Sequence, residues 1–285
     1  MPEVSWLRAG LSGLLGLMIG SFLNVVICRL PKMMERQWAA ELAEYAGQPM
    51  PPRERFNIVL PGSHCQQCGH AIGWHENIPV LSYIFLGGKC SACKTRIGLR
   101  YPLVELVTGL LFAFCAWRWG WSWQALAWSG FAATLVALTL IDWDTTLLPD
   151  SLTLPLLWAG LIASSQGWTG APLDRAIWGV VAGYLSLWLI YWCYKLLTGK
   201  EGMGYGDFKL FAALGAWLGA DYLLAVLLLS SAVGAVFGGA LLVVGRLAHK
   251  DVPIAFGPFL AGAGMLCMLV GPERLRQLVP FAFPF

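Results

Sequence analysis

The amino-acid sequence predicts an all-α polytopic membrane protein with about eight hydrophobic helices and a small zinc-ribbon-like module. Three observations lead to this fold class: a low charged fraction, a series of charge-free stretches, and two Cys-x-x-Cys pairs. Only 12% of the 285 residues are charged, whereas soluble domains contain about 25%. Fifteen tryptophans fit the same class, because indole rings favour membrane interfaces. The net charge of +3 is too small to indicate a nucleic-acid-binding protein.

The charge-free stretches predict where the helices lie, because a membrane-spanning helix needs about 20 apolar residues. Two further apolar runs follow Glu105 and Lys209, and the second is short and directly follows a Gly-x-Gly-Asp loop. We therefore expect seven full spans and one short helix. The stretches without Asp, Glu, Lys or Arg cover residues 9–28, 119–141, 151–173, 176–194, 222–245 and 252–272.

The longest polar segment, residues 29–102, is the part of the sequence long enough for a soluble module. When it is placed on the cytoplasmic side, 14 of the 19 Lys and Arg residues lie inside and 5 lie outside. The positive-inside rule favours this orientation, and both termini then face outward. We therefore expect a first transmembrane helix over 1–28, a cytoplasmic segment over 29–102 and the remaining helices over 103–285.

Within the polar segment, residues 32–47 predict a short helix that three prolines follow. Its apolar residues indicate either a helix resting on the bilayer surface or an ordinary solvated connector. The sequence alone leaves both interpretations open.

Four of the eight cysteines form two Cys-x-x-Cys pairs, Cys65 with Cys68 and Cys90 with Cys93. A two-residue gap lets both thiolates of a pair reach one tetrahedral zinc ion at about 2.3 Å. The alternatives are two disulfides, which a reducing cytoplasm disfavours, and a redox pair, for which no thioredoxin-like pattern is present. Four thiolates fill the coordination sphere, so the predicted Zn²⁺ is structural.

The remaining cysteines and histidines are given ordinary roles. Four single cysteines lie in apolar stretches and are expected to be small buried side chains. Three histidines near the tetrad are expected at the surface or outside the ligand sphere: His64, His70 and His75.

Two aspartates, Asp142 and Asp207, lie at the predicted membrane boundary. Charges at membrane depth are costly and usually functional. Asp207 follows a run of alternating glycines, which allow unusual backbone conformations and close approach of a substrate backbone. No Lys-Ser/Thr follows this run, so it is not a Walker loop. Because the loops alternate between sides, both aspartates are expected at the cytoplasmic face, where they are able to meet.

Two neighbouring carboxylates support aspartyl proteolysis, because like charges cannot both ionise cheaply and therefore share a proton. One carboxylate then activates water and the other donates a proton to the scissile carbonyl. We expect this role for Asp142 and Asp207, and interface solvation or helix N-capping for Asp144 and Asp150. The sequence contains neither HExxH nor GxSxG, the signatures of zinc and serine hydrolases.

Several motifs are spread along nearly the full length of the chain. They are residues 20–31, the tetracysteine module, residues 77–79, residues 100–105, residues 142–155 and residues 204–207. Together these motifs resemble those of the bacterial prepilin peptidases, the type IV leader peptidases that serve pilus assembly and type II secretion.

The resemblance implies an aspartyl endopeptidase of the bacterial cytoplasmic (inner) membrane. It removes a short basic leader from prepilins or pseudopilins at the cytoplasmic face, and many members then N-methylate the new terminal residue with S-adenosylmethionine. The tetracysteine-bearing form is the one that is usually bifunctional. No residue of this sequence is assigned to the methyl donor, because the sequence carries no independent fingerprint for it.

Carried over by position, the resemblance makes Asp142 and Asp207 the catalytic pair within a protease domain over residues 103–285. Asp142 is chosen over Asp144 because the family's aspartate lies eight residues before the Pro-Asp aspartate, here Asp150. The acidic residues Glu201, Asp144 and Asp150 are expected to attract the basic leader electrostatically.

Two other function classes account for part of the pattern. An ion-coupled transporter would use Asp142 and Asp207 as a proton relay in a broken helix, but it leaves the cysteine module unexplained. A non-enzymatic assembly scaffold built on the zinc module predicts that both aspartates tolerate alanine.

Overall fold

The structure, a computed structural model, describes residues 2–49, 55–244, 255–271 and 277. Over these residues it consists of helices and loops, with two isolated β-bridges in the cysteine module and no extended sheet. The predicted all-α class is confirmed. The chain divides into two compact units, Met1–Ala125 and Leu126–Phe285, which are described separately.

The first unit is built on two long helices and one short one: α1 (Pro2–Tyr45), α2 (Leu81–Phe85) and α3 (Arg100–Trp119). The short helix predicted over residues 32–47 is not an element of its own, because α1 runs through Pro31 without ending. Strong helix formers follow the proline and carry the helix on, and Gln37 donates a 2.8 Å hydrogen bond to Glu41 one turn later.

Helices α1 and α3 pack in antiparallel orientation at very close range. A Cβ atom on Gly20 would lie 2.6 Å from the Cα atom of Glu105, so glycine is the residue that permits this contact. One turn further along α1, the amide of Asn24 donates a 3.1 Å hydrogen bond to the carbonyl of Tyr101. These two contacts fix the register in which α1 packs along α3.

The second unit contains six described helices: α4 (Trp123–Thr145), α5 (Asp150–Ser165), α6 (Leu173–Thr198), α7 (Tyr205–Leu218), α8 (Leu223–Val243) and α9 (Gly257–Val270). Helix α7 is central, since it packs against α5, α6 and α9. It is apolar on nearly every side, as expected of a helix surrounded by others.

The described chain has five helices that are long and apolar enough to cross a membrane: α1, α3, α4, α6 and α8 with its preceding 3₁₀ turn. The sequence predicted one short hydrophobic helix, but α5, α7 and α9 have only 16, 14 and 14 residues. Glycines in left-handed conformations end or follow these helices, for example Gly167, Gly219 and Gly271. The ends of the predicted stretch 252–272 lie outside the described residues.

Helices α6 and α7 cross at a pair of facing glycines, Gly179 and Gly215. A Cβ atom on either residue would overlap the backbone carbonyl of the other. At the next level of the same core, the indole of Trp217 donates a 2.8 Å hydrogen bond to the carbonyl of Leu156 in α5. The position of α7 between its neighbours therefore depends on close backbone contact at these glycines together with the hydrogen bond from Trp217.

We expect Gly179→Ala to destabilise the protein by about 1–3 kcal/mol, because the added methyl group overpacks the crossing. The matched control is Gly130→Ala in α4, where a Cβ atom would have no neighbour within 4 Å. That change is expected to be neutral, or stabilising by up to about 1 kcal/mol through helix propensity. Thermal unfolding of both variants in detergent measures the difference, and equal midpoints would contradict the assigned crossing.

Candidate active site and metal centre

Asp142 lies in the last turn of α4 and is buried, with 4% of its surface exposed. The helix ends three residues later at Thr145, and the next residue, Thr146, has a φ of +55°, which is unusual for a β-branched residue. Among the described residues, the buried atom Oδ2 of Asp142 has no hydrogen-bond partner. A buried carboxylate oxygen near the end of the helix is therefore without a hydrogen bond, which is typical of functional positions.

Asp207 lies in the first turn of α7 and is 8% exposed. The backbone amide of Gly204 interacts with its carboxylate, and the two carboxylates of Asp142 and Asp207 interact with each other electrostatically. The structure thus brings together the two aspartates that the sequence singled out, although 65 positions separate them in the chain.

The first turn of α9 closes the other side of Asp142, a feature that the sequence analysis missed. The amide of Gly257 interacts with the Asp142 carboxylate, and a Cβ atom on Gly257 would lie 2.6 Å from its Oδ2. Any larger residue would displace the carboxylate. The available signal was a Phe-Gly-Pro sequence at the start of an apolar stretch, which marks a helix start but not its neighbour.

Leu148, in the loop between α4 and α5, fills the space between the two glycine-containing segments. Its Cβ would lie 2.8 Å from a Cβ atom on Gly206, and its Cδ1 would lie 3.1 Å from one on Gly257. This side chain therefore packs against both glycine segments beside the aspartates.

Asp150 begins α5 but does not cap it, since the N-cap position is occupied by Pro149. Both carboxylate oxygens of Asp150 accept 2.7 Å hydrogen bonds from the ammonium group of Lys209. Lys209 lies in α7 two positions after Asp207, so this ion pair joins the start of α5 to the helix that carries a candidate catalytic residue. The expected capping role is replaced by an ion pair.

A second ion pair changes the predicted attraction for a basic leader. The carboxylate of Glu201 accepts a 2.7 Å hydrogen bond from Lys195, and this cation lowers the pKa of Glu201. Since Glu201 and Asp150 are both paired with lysines, the negative charge near the aspartates is smaller than the sequence suggested.

The four predicted zinc ligands converge in the first unit. The Sγ atoms of Cys65, Cys68, Cys90 and Cys93 all lie within 4.8 Å of one another. Cys65 and Cys93 are 3.8 Å apart at Sγ, which is longer than a disulfide bond of about 2.05 Å. It equals the spacing of about 3.8 Å expected for sulfurs bound tetrahedrally at about 2.3 Å, so the residues fit a Zn²⁺ ion.

The two cysteine pairs have the same backbone geometry. In each, the amide four positions after the first cysteine donates to that cysteine's carbonyl, at 2.9 Å for Gly69 and 3.1 Å for Lys94. Both residues have positive φ, +72° for Gly69 and +59° for Lys94. In the second pair a lysine therefore takes the positive-φ conformation that glycine takes in the first.

Electrostatics favour thiolate formation at Cys93. Sγ of Cys93 lies 3.3 Å from the hydroxyl of Thr95. Hydrogen bonds with this hydroxyl and with the Thr95 amide lower the pKa of Cys93 to about 6. The ionised thiol is the form that binds a metal.

A polar bridge connects the two cysteine pairs from outside the ligand sphere. Nε2 of His70 lies 3.1 Å from the Glu76 carboxylate and 3.1 Å from the Ser91 hydroxyl. Hydrogen bonds from Ser91 and from the Gly73 amide, together with His70, lower the pKa of Glu76 to about 2. The contribution of Glu76 to stability is therefore present above about pH 4.5 and is lost as the pH falls toward 2.

Comparison with known proteins identifies the family. The model of the bacterial peptidase A24 N-terminal domain matches residues 14–119, and the model of the type IV leader peptidase family matches residues 129–239. A prepilin leader peptidase/N-methyltransferase of Pseudomonas aeruginosa is 56% identical to the chain, over 94% of this chain and 92% of that protein. The chain belongs to the type IV leader peptidase family.

Other members of the type IV leader peptidase family match over similar lengths. Proteins with the same name from Aeromonas salmonicida and Burkholderia pseudomallei are 54% and 51% identical. The matches cover 95% and 90% of this chain, and 94% and 84% of those proteins. No solved structure gives a significant match. The named relatives are enzymes, so they lend no support to the transporter and scaffold interpretations.

We expect the purified family member to retain about one zinc ion per chain. Cys90→Ser is expected to lose most of this zinc on dialysis against a chelator, because one of four thiolate ligands is removed. Cys193→Ser is the control, since Cys193 lies outside the tetrad and, contrary to the burial expected from the sequence, is exposed in α6. Elemental analysis after dialysis gives the zinc content, and equal retention by both variants would contradict the metal centre.

Proposed function

We propose that this chain is an aspartyl endopeptidase that removes the basic leader from type IV prepilins or pseudopilins at the cytoplasmic membrane face. It then N-methylates the new terminal residue with S-adenosylmethionine. Membership of the type IV leader peptidase family and the names of relatives that are 51–56% identical support cleavage and methylation. The observation that carries the aspartyl mechanism is the burial of Asp142 and Asp207 within electrostatic reach of each other.

The two carboxylates would divide the acid and base roles. In a buried pair, one proton is shared because two neighbouring negative charges are costly. The ionised carboxylate takes a proton from a water molecule, which attacks the scissile carbonyl, and the protonated carboxyl donates to the carbonyl oxygen. Oδ2 of Asp142 has no hydrogen-bond partner among the described residues, so it is the oxygen that we assign to this proton transfer.

The surrounding backbone supports this mechanism by holding the carboxylates in place. The amides of Gly204 and Gly257 interact with Asp207 and Asp142, respectively. Glycine at these positions leaves the approach to the carboxylates free of side-chain atoms, as an extended peptide substrate requires. Leu148 packs against both glycine segments and limits the volume open to water.

The two cofactors have separate parts in this proposal. The tetrad of Cys65, Cys68, Cys90 and Cys93 would hold Zn²⁺ as a structural ion, because four thiolates leave no open coordination position. S-adenosylmethionine supplies the methyl group that the new terminal amine receives. Its binding residues are unassigned, and we place the tetracysteine module on the cytoplasmic side from the positive-inside rule.

We expect Asp207→Asn to lower the rate of leader cleavage by about 10²–10⁴-fold, because an amide neither accepts nor donates the required proton. Methylation of a pre-cleaved substrate is expected to be retained. Asp144→Asn is the control: Asp144 is exposed and lies two positions from Asp142 in the same helix end. Its cleavage rate at saturating substrate is expected to stay near that of the unchanged protein.

Mass spectrometry of a prepilin before and after incubation measures both reactions. Loss of the leader and gain of a methyl group are separate mass shifts, with and without the methyl donor. Normal cleavage by the Asp207→Asn variant would contradict the catalytic role assigned to this residue. If the unchanged enzyme left the prepilin intact, that result would contradict the proposed function.

We expect Gly257→Ala to lower kcat for cleavage by at least about tenfold, because the added methyl group displaces the Asp142 carboxylate. Gly262→Ala in the same helix is the control, since a Cβ atom there has no neighbour within 4 Å. Methylation of a pre-cleaved substrate separates a local effect from unfolding. Equal kcat values for the two variants would remove Gly257 from the site.

A further inference from the structure

The short helix α2 presents an apolar face that no described part of the first unit covers. Leu81, Ile84 and Phe85 lie on one face and are 52%, 65% and 85% exposed. On the other side, the hydroxyl of Tyr83 donates a 3.2 Å hydrogen bond to the carbonyl of Ile97 and holds the helix to the cysteine module. Contiguous apolar surface of this kind usually has a partner.

A buried carboxylate ties this helix to α3. The amide of Val80, the residue before α2, donates a 2.8 Å hydrogen bond to Glu105. Glu105 is buried against Gly20 of α1 and also interacts with the hydroxyl of Ser21. Val80 has a φ of +60°, a strained conformation for a β-branched residue that needs such a contact to hold it.

The position of Glu105 along α3 sets the depth of α2. Helix α3 has 20 residues, so it is about 30 Å long and only just crosses the hydrocarbon core. Its far end carries Trp117 and Trp119, followed by Trp121 and Trp123, a group typical of the membrane interface. Glu105 lies about 21 Å from Trp119 along the helix, so it is roughly 9 Å inside the boundary at the Arg100 end.

We propose that α2 is embedded in the bilayer, with Leu81, Ile84 and Phe85 in contact with lipid acyl chains. The depth of Glu105 places the start of α2 below the headgroups, where exposed apolar side chains meet lipid rather than water. The backbone before α2 is irregular, and at this depth such backbone is tolerated where protein groups satisfy it. Glu105 provides that acceptor for Val80.

The charges that follow α2 suit the same arrangement. Lys89, Lys94 and Arg96 are exposed, and the backbones of Lys89 and Arg96 pair in an antiparallel bridge. Cations beside an apolar insertion are typical of segments that meet the phosphate layer of a bilayer. The apolar face and its basic edge therefore fit a phospholipid membrane, and α2 would hold the cysteine module of this unit at a fixed height.

Photocrosslinking in the full chain tests this inference independently of the proposed chemistry. Benzoylphenylalanine replaces Phe85 in one variant and Tyr45 in another, and membranes containing each are irradiated. Tyr45 is the matched control, since it is 95% exposed and lies about 31 Å along α1 from Asn24, which is level with the start of α3. Intact-mass spectrometry then detects phospholipid adducts.

We expect phospholipid adducts at position 85 at a yield at least tenfold above that at position 45. Equal yields at the two positions, or crosslinks from position 85 to a protein instead of lipid, would overturn the proposal. In the Phe85 background, Glu105→Leu removes the acceptor for Val80 and is expected to lower the adduct yield severalfold, whereas Glu105→Gln keeps an oxygen acceptor and the yield. An unchanged yield in Glu105→Leu would show that Glu105 does not set the depth.

Discussion

The cost of an ionisable group in an apolar medium is the constraint on which the rest of the structure depends. Among the described residues, the buried carboxylates are Glu105, Asp142 and Asp207. Each is met by a backbone amide from a loop or helix start, and these amides belong to Val80, Gly257 and Gly204. The carboxylates therefore determine where irregular backbone comes close to the helices. Glycines at these contacts leave enough space for the backbone to approach.

Small residues allow that approach. Gly257 touches the Asp142 carboxylate, Gly20 lies against the backbone of Glu105, and Gly179 lies against the backbone of Gly215. In each case a single methyl group would occupy space already filled by another atom. Apolar burial contributes little to helix association in lipid, so close packing and polar contacts between helices have to supply the specificity.

The two chemical centres are built on different principles. The cysteine centre is closed: two equivalent turns place four sulfurs within 4.8 Å of one another, and the bridge of His70, Glu76 and Ser91 joins the turns from outside. The aspartate centre differs, because the buried atom Oδ2 of Asp142 has no hydrogen-bond partner among the described residues. A closed metal centre stabilises a fold, whereas a buried polar atom without a partner often has a catalytic role.

The sequence by itself determined the membrane class, the eight hydrophobic helices and the cysteine tetrad, and it singled out Asp142 and Asp207 as candidates, because hydropathy, ligand spacing and charge at membrane depth are local patterns. Only the tertiary structure decided that Gly257 touches Asp142, that Lys209 binds Asp150, and that Glu105 holds Val80. Helices α7 and α9 are also short, because a glycine with positive φ follows the last residue of each. These features join segments far apart in the chain, and such contacts leave no periodic trace in the sequence.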